Sequence, residues 1–140
     1  GVRDAILMSL RGRVKSLKTE ELGKLVGSPY ADVRIFAGQT LLTADQEAFD
    51  QYGFDLLIDE DTVVRSTTLR AMGVRRVTGW VRIMSRSLLD EDYVIQRVAM
   101  DALLTDRHEG VKALNEYVAR NPQARISALA RAELDRLGVR

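Results

Sequence analysis

The residues best equipped for chemistry in this chain are arginines. Between Thr62 and Leu89 every charged residue is basic: Arg65, Arg70, Arg75, Arg76, Arg82 and Arg86. Between Ala44 and Asp61 every charged residue is acidic: Asp45, Glu47, Asp50, Asp55, Asp59, Glu60 and Asp61. Asp90, Glu91 and Asp92 then return the sign to negative. A guanidinium fork matches the geometry of phosphate and carboxylate. Arg75, Arg76, Arg82 and Arg86 therefore form the candidate anion-binding set. A nucleic acid would meet them as a short basic strip, and its phosphate contacts would weaken with salt. The competing reading is a solvated helix face, or one neutralised by the acidic helix before it.

Other chemistry finds little material. His108 is the sole histidine, in the stretch Asp106-Arg107-His108-Glu109, and one imidazole cannot build a His-rich zinc site. It could serve as a general base oriented by Asp106 or Glu109, but a solvated loop or cap histidine is the plainer identity. The chain has no cysteine, so disulfides, iron–sulfur clusters and thiolate metal sites are excluded. No Gly-x-Ser-x-Gly elbow, phosphate loop or dinucleotide fingerprint occurs. The carboxylate pairs Glu20-Glu21 and Asp90/Asp92 fall on expected exposed helix starts without an obvious pocket, and the triplets Asp59-Glu60-Asp61 and Asp90-Glu91-Asp92 complement the macrodipole at theirs. The expectation is no metal, no cofactor and no catalytic residue, and the reading leans away from an enzyme.

Net charge is +1 over 140 residues, so the molecule as a whole is not a polyanion magnet. Hydrophobic residues make up 46%, enough for a core. No apolar run approaches the roughly 20 residues of a membrane span, and no membrane partner is expected. Absent cysteine fits a cytoplasmic protein.

The elements that must position these residues follow from a repeat of 31 residues. Ser28, Asp59, Asp90 and Asn121 are 31 apart. So are Val2, Val33, Val64, Ile95 and Ile126, and so are Leu10, Leu41, Met72, Leu103 and Leu134. A fixed period of this size marks stacked supersecondary units. Each unit divides into two segments with helical spacing. The first-type helices are expected over 18–27, 45–57, 75–88 and 109–120. The second type is expected over 2–12, 30–43, 61–73, 92–105 and 122–137. That makes roughly nine helices, all-α. Ser28-Pro29 and Asn121-Pro122 each place a capping side chain before a proline at the expected first helical position. Gly27, Gly53, Gly73 and Gly110 read as caps or turns.

The segment Asp59 to Gly73 has an acidic turn, then Val-Arg, a small residue, and Leu-Arg-Ala-Met-Gly. It resembles the second helix of the HEAT-like repeat, the short kind also found in phycobilin lyases. Ser28–Leu42, Asp90–Leu104 and Asn121–Leu137 follow the pattern more loosely, and Val2–Leu10 looks like the same helix. Thr67 and Thr68 depart from it at apolar columns, and Gln96 stands where the family has Arg. The resemblance implies a single domain over 1–140, or part of a longer array, folded as a right-handed α-α superhelix. It also implies a ladder in which Arg3, Arg34 and Arg65 pair with the turn acids Asp59 and Asp90 of adjacent units. A bilin lyase or isomerase is an activity the resemblance admits, although no catalytic motif of that group maps onto a residue here.

In such a stack the second-type helices line the inner wall. Gln39, Ser66, Leu69, Arg70, Arg97, Met100, Asp101 and Arg131 are the expected partner-binding residues, with arginine and methionine suited to protein contact. The plain alternative is that Leu69 and Met100 pack between neighbouring helices. The expected function is a scaffold presenting a curved helical surface to a protein partner, with nucleic-acid binding as the alternative. Helix 2–12 has no first-type helix before it, so homodimerisation through that end is a further expectation.

Overall fold

The computed structural model describes residues 19–139, which form eight α-helices and, among the described residues, no strand. They are α1 (Thr19–Val26), α2 (Ala31–Thr40), α3 (Gln46–Leu57), α4 (Thr62–Arg75), α5 (Trp80–Ser87), α6 (Tyr93–Leu104), α7 (Glu109–Arg120) and α8 (Arg125–Arg136). Arg3 and the expected helix 2–12 lie outside the described residues. So does the expectation of dimerisation through that end.

The chain divides into two compact units, Gly1–Met72 and Gly73–Arg140, with the division inside α4. In the first unit α1 packs on α2 and α3, and α2 packs on α3. In the second unit α5 packs on α6 and α7, α6 on α7 and α8, and α7 on α8. Within each unit, helices therefore meet their neighbours and next-but-one neighbours in sequence, the pattern a 31-residue period implies.

The period is also visible in burial. Val33, Val64, Ile95 and Ile126 are all buried, as are Ala37, Thr68, Ala99 and Ala130, and Leu41, Met72, Leu103 and Leu134. One small residue per unit lets backbones approach without voids. Thr68 fits its column because its hydroxyl donates to the Val64 carbonyl one turn back at 2.8 Å. A buried hydroxyl with a partner costs little.

Helix starts correct three expectations. The N-cap of α2 is Tyr30, not Ser28, and that of α8 is Ala124, not Asn121, so neither proline occupies the first helical position. The acidic turns, expected at helix starts, also supply caps. Asp61 Oδ1 accepts from the Val63 and Val64 N–H groups, and Asp92 Oδ1 from Val94 N–H. The α5 helix begins at Trp80 rather than near residue 75. Arg76 at φ 51° and Gly79 at φ 78° put two left-handed residues in the turn, and no α-helix passes through that conformation.

Glycine also acts differently from its expected role. Gly53, Gly73 and Gly110 lie within helices. At Gly110 the reason is close approach: a Cβ there would sit 2.3 Å from the Leu103 carbonyl oxygen. Its absence lets α7 begin directly against the end of α6.

Candidate interaction surface

The second-type helices are α2, α4, α6 and α8. At one position 31 residues apart, Gln39, Arg70, Asp101 and Ala132 are all exposed. Arg97 and Arg131 are exposed as well. Arg97 Nε lies 3.5 Å from Asp101 Oδ1, with both side chains more than half exposed, so water screens the pair. Arg131 donates from Nη2 to the Pro122 carbonyl at 2.9 Å, which holds its guanidinium at the start of α8.

Three of the expected contact residues belong to the interior instead. Leu69 and Met100 are 0% exposed, and Ser66 is 7% exposed with its hydroxyl donating to the Val63 carbonyl. Leu69 and Met100 precede the exposed Arg70 and Asp101 by one residue, and the 100° turn per residue carries them to the packed side. The exposed residues of the expected set are therefore polar: Gln39 and Arg70 in the first unit, and Arg97, Asp101 and Arg131 in the second.

A tie recurs in every described repeat. Arg34 Nη1 donates to the Ser28 carbonyl at 3.0 Å, and Arg65 Nη1 to the Asp59 carbonyl at 3.0 Å. Gln96 Nε2 donates to the Asp90 carbonyl at 2.6 Å, and Ser127 Oγ to the Asn121 carbonyl at 2.7 Å. Each donor sits six residues after its acceptor, and the donors themselves are 31 apart. The bond satisfies a loop carbonyl and fixes how the chain enters the second helix of each pair. The sequence conceals it because the donors are Arg, Arg, Gln and Ser.

Arg34 does more. Its Nε and Nη2 donate to the two oxygens of Asp59 at 2.8 and 3.2 Å, a bidentate pair with side chains 12% and 10% exposed. Burial works against the Asp59 charge. The Arg34 guanidinium and the Asp61 N–H outweigh it and hold the carboxyl below its ordinary range. The hydrogen bond to Asp59 in turn raises the Arg34 pKa. Arg65 also reaches the Glu60 carbonyl, and Asp90 Oδ1 accepts from Asp92 N–H.

The anion-binding set is not one group. Arg75 is the last residue of α4 and is partly buried. Arg76 is occupied: its Nη2 donates to the Thr105 carbonyl at 3.2 Å and its guanidinium lies 5.2 Å from the centroid of the Trp80 ring. Arg82 and Arg86 are exposed, and their side chains have no ion-pair or hydrogen-bond partner among the described residues.

His108 caps α7 through its backbone, and its N–H donates to Asp106 Oδ1 at 3.1 Å. Asp106 Oδ2 accepts from Gly110 N–H. Those bonds, the His108 one foremost, hold the Asp106 carboxyl below its ordinary range. Asp106 thus orients a turn rather than an imidazole. A groove of about 710 Å³ lies beside α7 and α8, lined by Asn115, Val118, Arg131, Leu134, Asp135 and Val139 among others. Its lining has no serine, threonine, histidine or lysine, and Asp135 is its one carboxylate. Among the described residues no cluster of three or more His, Asp or Glu could hold a metal ion, and no helix is long and apolar enough to cross a membrane.

No family model, no curated protein and no solved structure matches the chain.

Proposed function

We propose that this chain is a HEAT-like stack of helix pairs that works as a protein-interaction module. In the proposed stack the helices follow one another in chain order as a right-handed superhelix, and the second-type helices form its inner wall. Gln39, Arg70 and Asp101 then recur along that wall at one site per repeat, flanked by Arg97 and Arg131.

The observation that carries this reading is the pairing of burial with period. The columns of Val33, Ala37 and Leu41 are buried in every described repeat, while the column of Gln39 is exposed in every one. A regular, polar, side-chain-bearing set of positions, one per repeat, suits recognition of a partner surface. Its chemistry, three arginines with one carboxylate, fits a partner surface of mixed charge with an acidic excess.

The test compares partner capture by the wild-type chain and by a variant with Arg70→Glu and Arg97→Glu. Both sites are exposed, so the melting temperature stays within a few degrees, about the spread of surface substitutions. Partners held by the proposed wall bind the wild type and not the variant. An unchanged set of partners at unchanged stability defeats the reading.

The exposure and lack of partners at Arg82 and Arg86 favour nucleic-acid binding as a second reading. An electrophoretic shift that weakens steeply with salt, and disappears with Arg82→Glu and Arg86→Glu, would establish it.

A further inference from the structure

Two helix faces in this chain carry opposite, uncompensated charge beside exposed apolar side chains. On α3 and the residue after it, Glu47, Asp50, Gln51, Phe54, Asp55 and Ile58 are all exposed. Their spacing of i, i+3, i+4, i+7, i+8 and i+11 makes one continuous face. It has three carboxylates and no cation, with Phe54 at 53% and Ile58 at 78% exposure. On α5 and just beyond it, Arg82, Arg86 and Leu89 are exposed at i, i+4 and i+7, with no carboxylate on that stretch and Leu89 at 68%. The side chains of Glu47, Asp55, Arg82 and Arg86 have no partner among the described residues.

The repeat makes the relation between the faces specific. Asp55 and Arg86 are 31 apart, and so are Ile58 and Leu89, and Gln51 and Arg82. Each face thus sets an apolar residue three positions after a charged one, and the charge is inverted between them. A surface that fits the α3 face must be basic with an apolar neighbour at that spacing, and the α5 face meets that description. We infer that the chain associates with a second copy of itself, α3 of one docking on α5 of its partner. Carboxylates there meet guanidinium groups, and Ile58 and Phe54 are covered together with Leu89. An isolated exposed apolar residue needs no explanation, but Phe54 and Ile58 lie one turn apart on a face rimmed by polar side chains, the form a contact surface takes. Charge complementarity of this kind sets which surfaces meet and makes the contact sensitive to salt.

Sedimentation velocity of the full chain tests the inference. At about 0.05 M salt the chain sediments as an associated species, and at about 0.5 M salt the association constant is lower by about tenfold or more. Asp50→Arg with Asp55→Arg gives a chain whose two faces are both basic. Arg82→Glu with Arg86→Glu gives one whose faces are both acidic. Each variant alone, folded by circular dichroism, is monomeric at low salt, and an equimolar mixture associates again. The wild-type salt dependence stands on its own should either variant misfold. A wild-type chain monomeric at both salts overturns the inference. So does salt that shifts the melting temperature without changing the mass, which is the signature of pairing inside one chain. Variants that still self-associate alone, or a mixture that stays monomeric, overturn it as well.

Discussion

Arg34 is the residue on which most of the local chemistry of the first unit converges, because one guanidinium serves both the Ser28 carbonyl and the Asp59 carboxylate. Its pair has a pH signature with a definite sign. The Asp59 carboxyl titrates lower in the folded chain than in the unfolded one. The pair therefore contributes fully above the unfolded value of about 3.9, and its contribution is lost as pH falls from there through the folded value. Asp59→Asn should cost about 1–2 kcal/mol at neutral pH, because Arg34 loses charged acceptors in a partly buried place. The same variant should lose less further stability than wild type on acidification below about pH 4. Urea unfolding at several pH values measures both. Part of this was readable in the sequence, since Val-Arg after an acidic turn is a recognisable pattern. The roles of Gln96 and Ser127 were not, because neither is charged and each reaches a backbone atom, which has no letter in a sequence.

At the scale of elements the period located the helices well and their ends less well. Interior columns repeat because packing demands the same size and apolarity in each unit, and that is what periodicity reports. Ends depend on single backbone conformations. The left-handed Arg76 is the plainest case, since an arginine carries no signal for positive φ and its turn delays α5 to Trp80. Gly110 is the reverse case: its spacing suggested a turn, and its function is contact. Gly110→Ala should destabilise by about 1–3 kcal/mol, since the added methyl would meet the Leu103 backbone rather than a yielding side chain. The inner and outer sides of α6 separate as clearly. Met100→Ala should cost about 2–5 kcal/mol through the cavity it leaves. Arg97→Ala, three residues away and exposed, should stay within about 0.5 kcal/mol. Thermal or chemical unfolding of the two variants side by side checks the assignment of Met100 to the core and Arg97 to the surface.

For the molecule as a whole, the described contacts within each unit run between helices close in sequence. Damage in such an arrangement should stay near its origin. Hydrogen exchange of Met100→Ala should accelerate in α5, α6, α7 and α8 and leave α1 to α3 at wild-type protection. Uniform loss over both units would mean a cooperativity that sequence-local contacts do not supply. The proposed contact surface was only partly legible at this scale. The exposed column of Gln39, Arg70 and Asp101 was found from the period alone, but its neighbours Leu69 and Met100 fell one residue, and so 100°, to the wrong side. The six-residue tie has a last consequence. What each repeat needs at that place is a proton to donate, and guanidinium, carboxamide and hydroxyl all provide one. Two repeats can therefore share the joint without sharing the residue that makes it, and likeness between them is carried by geometry where the letters differ.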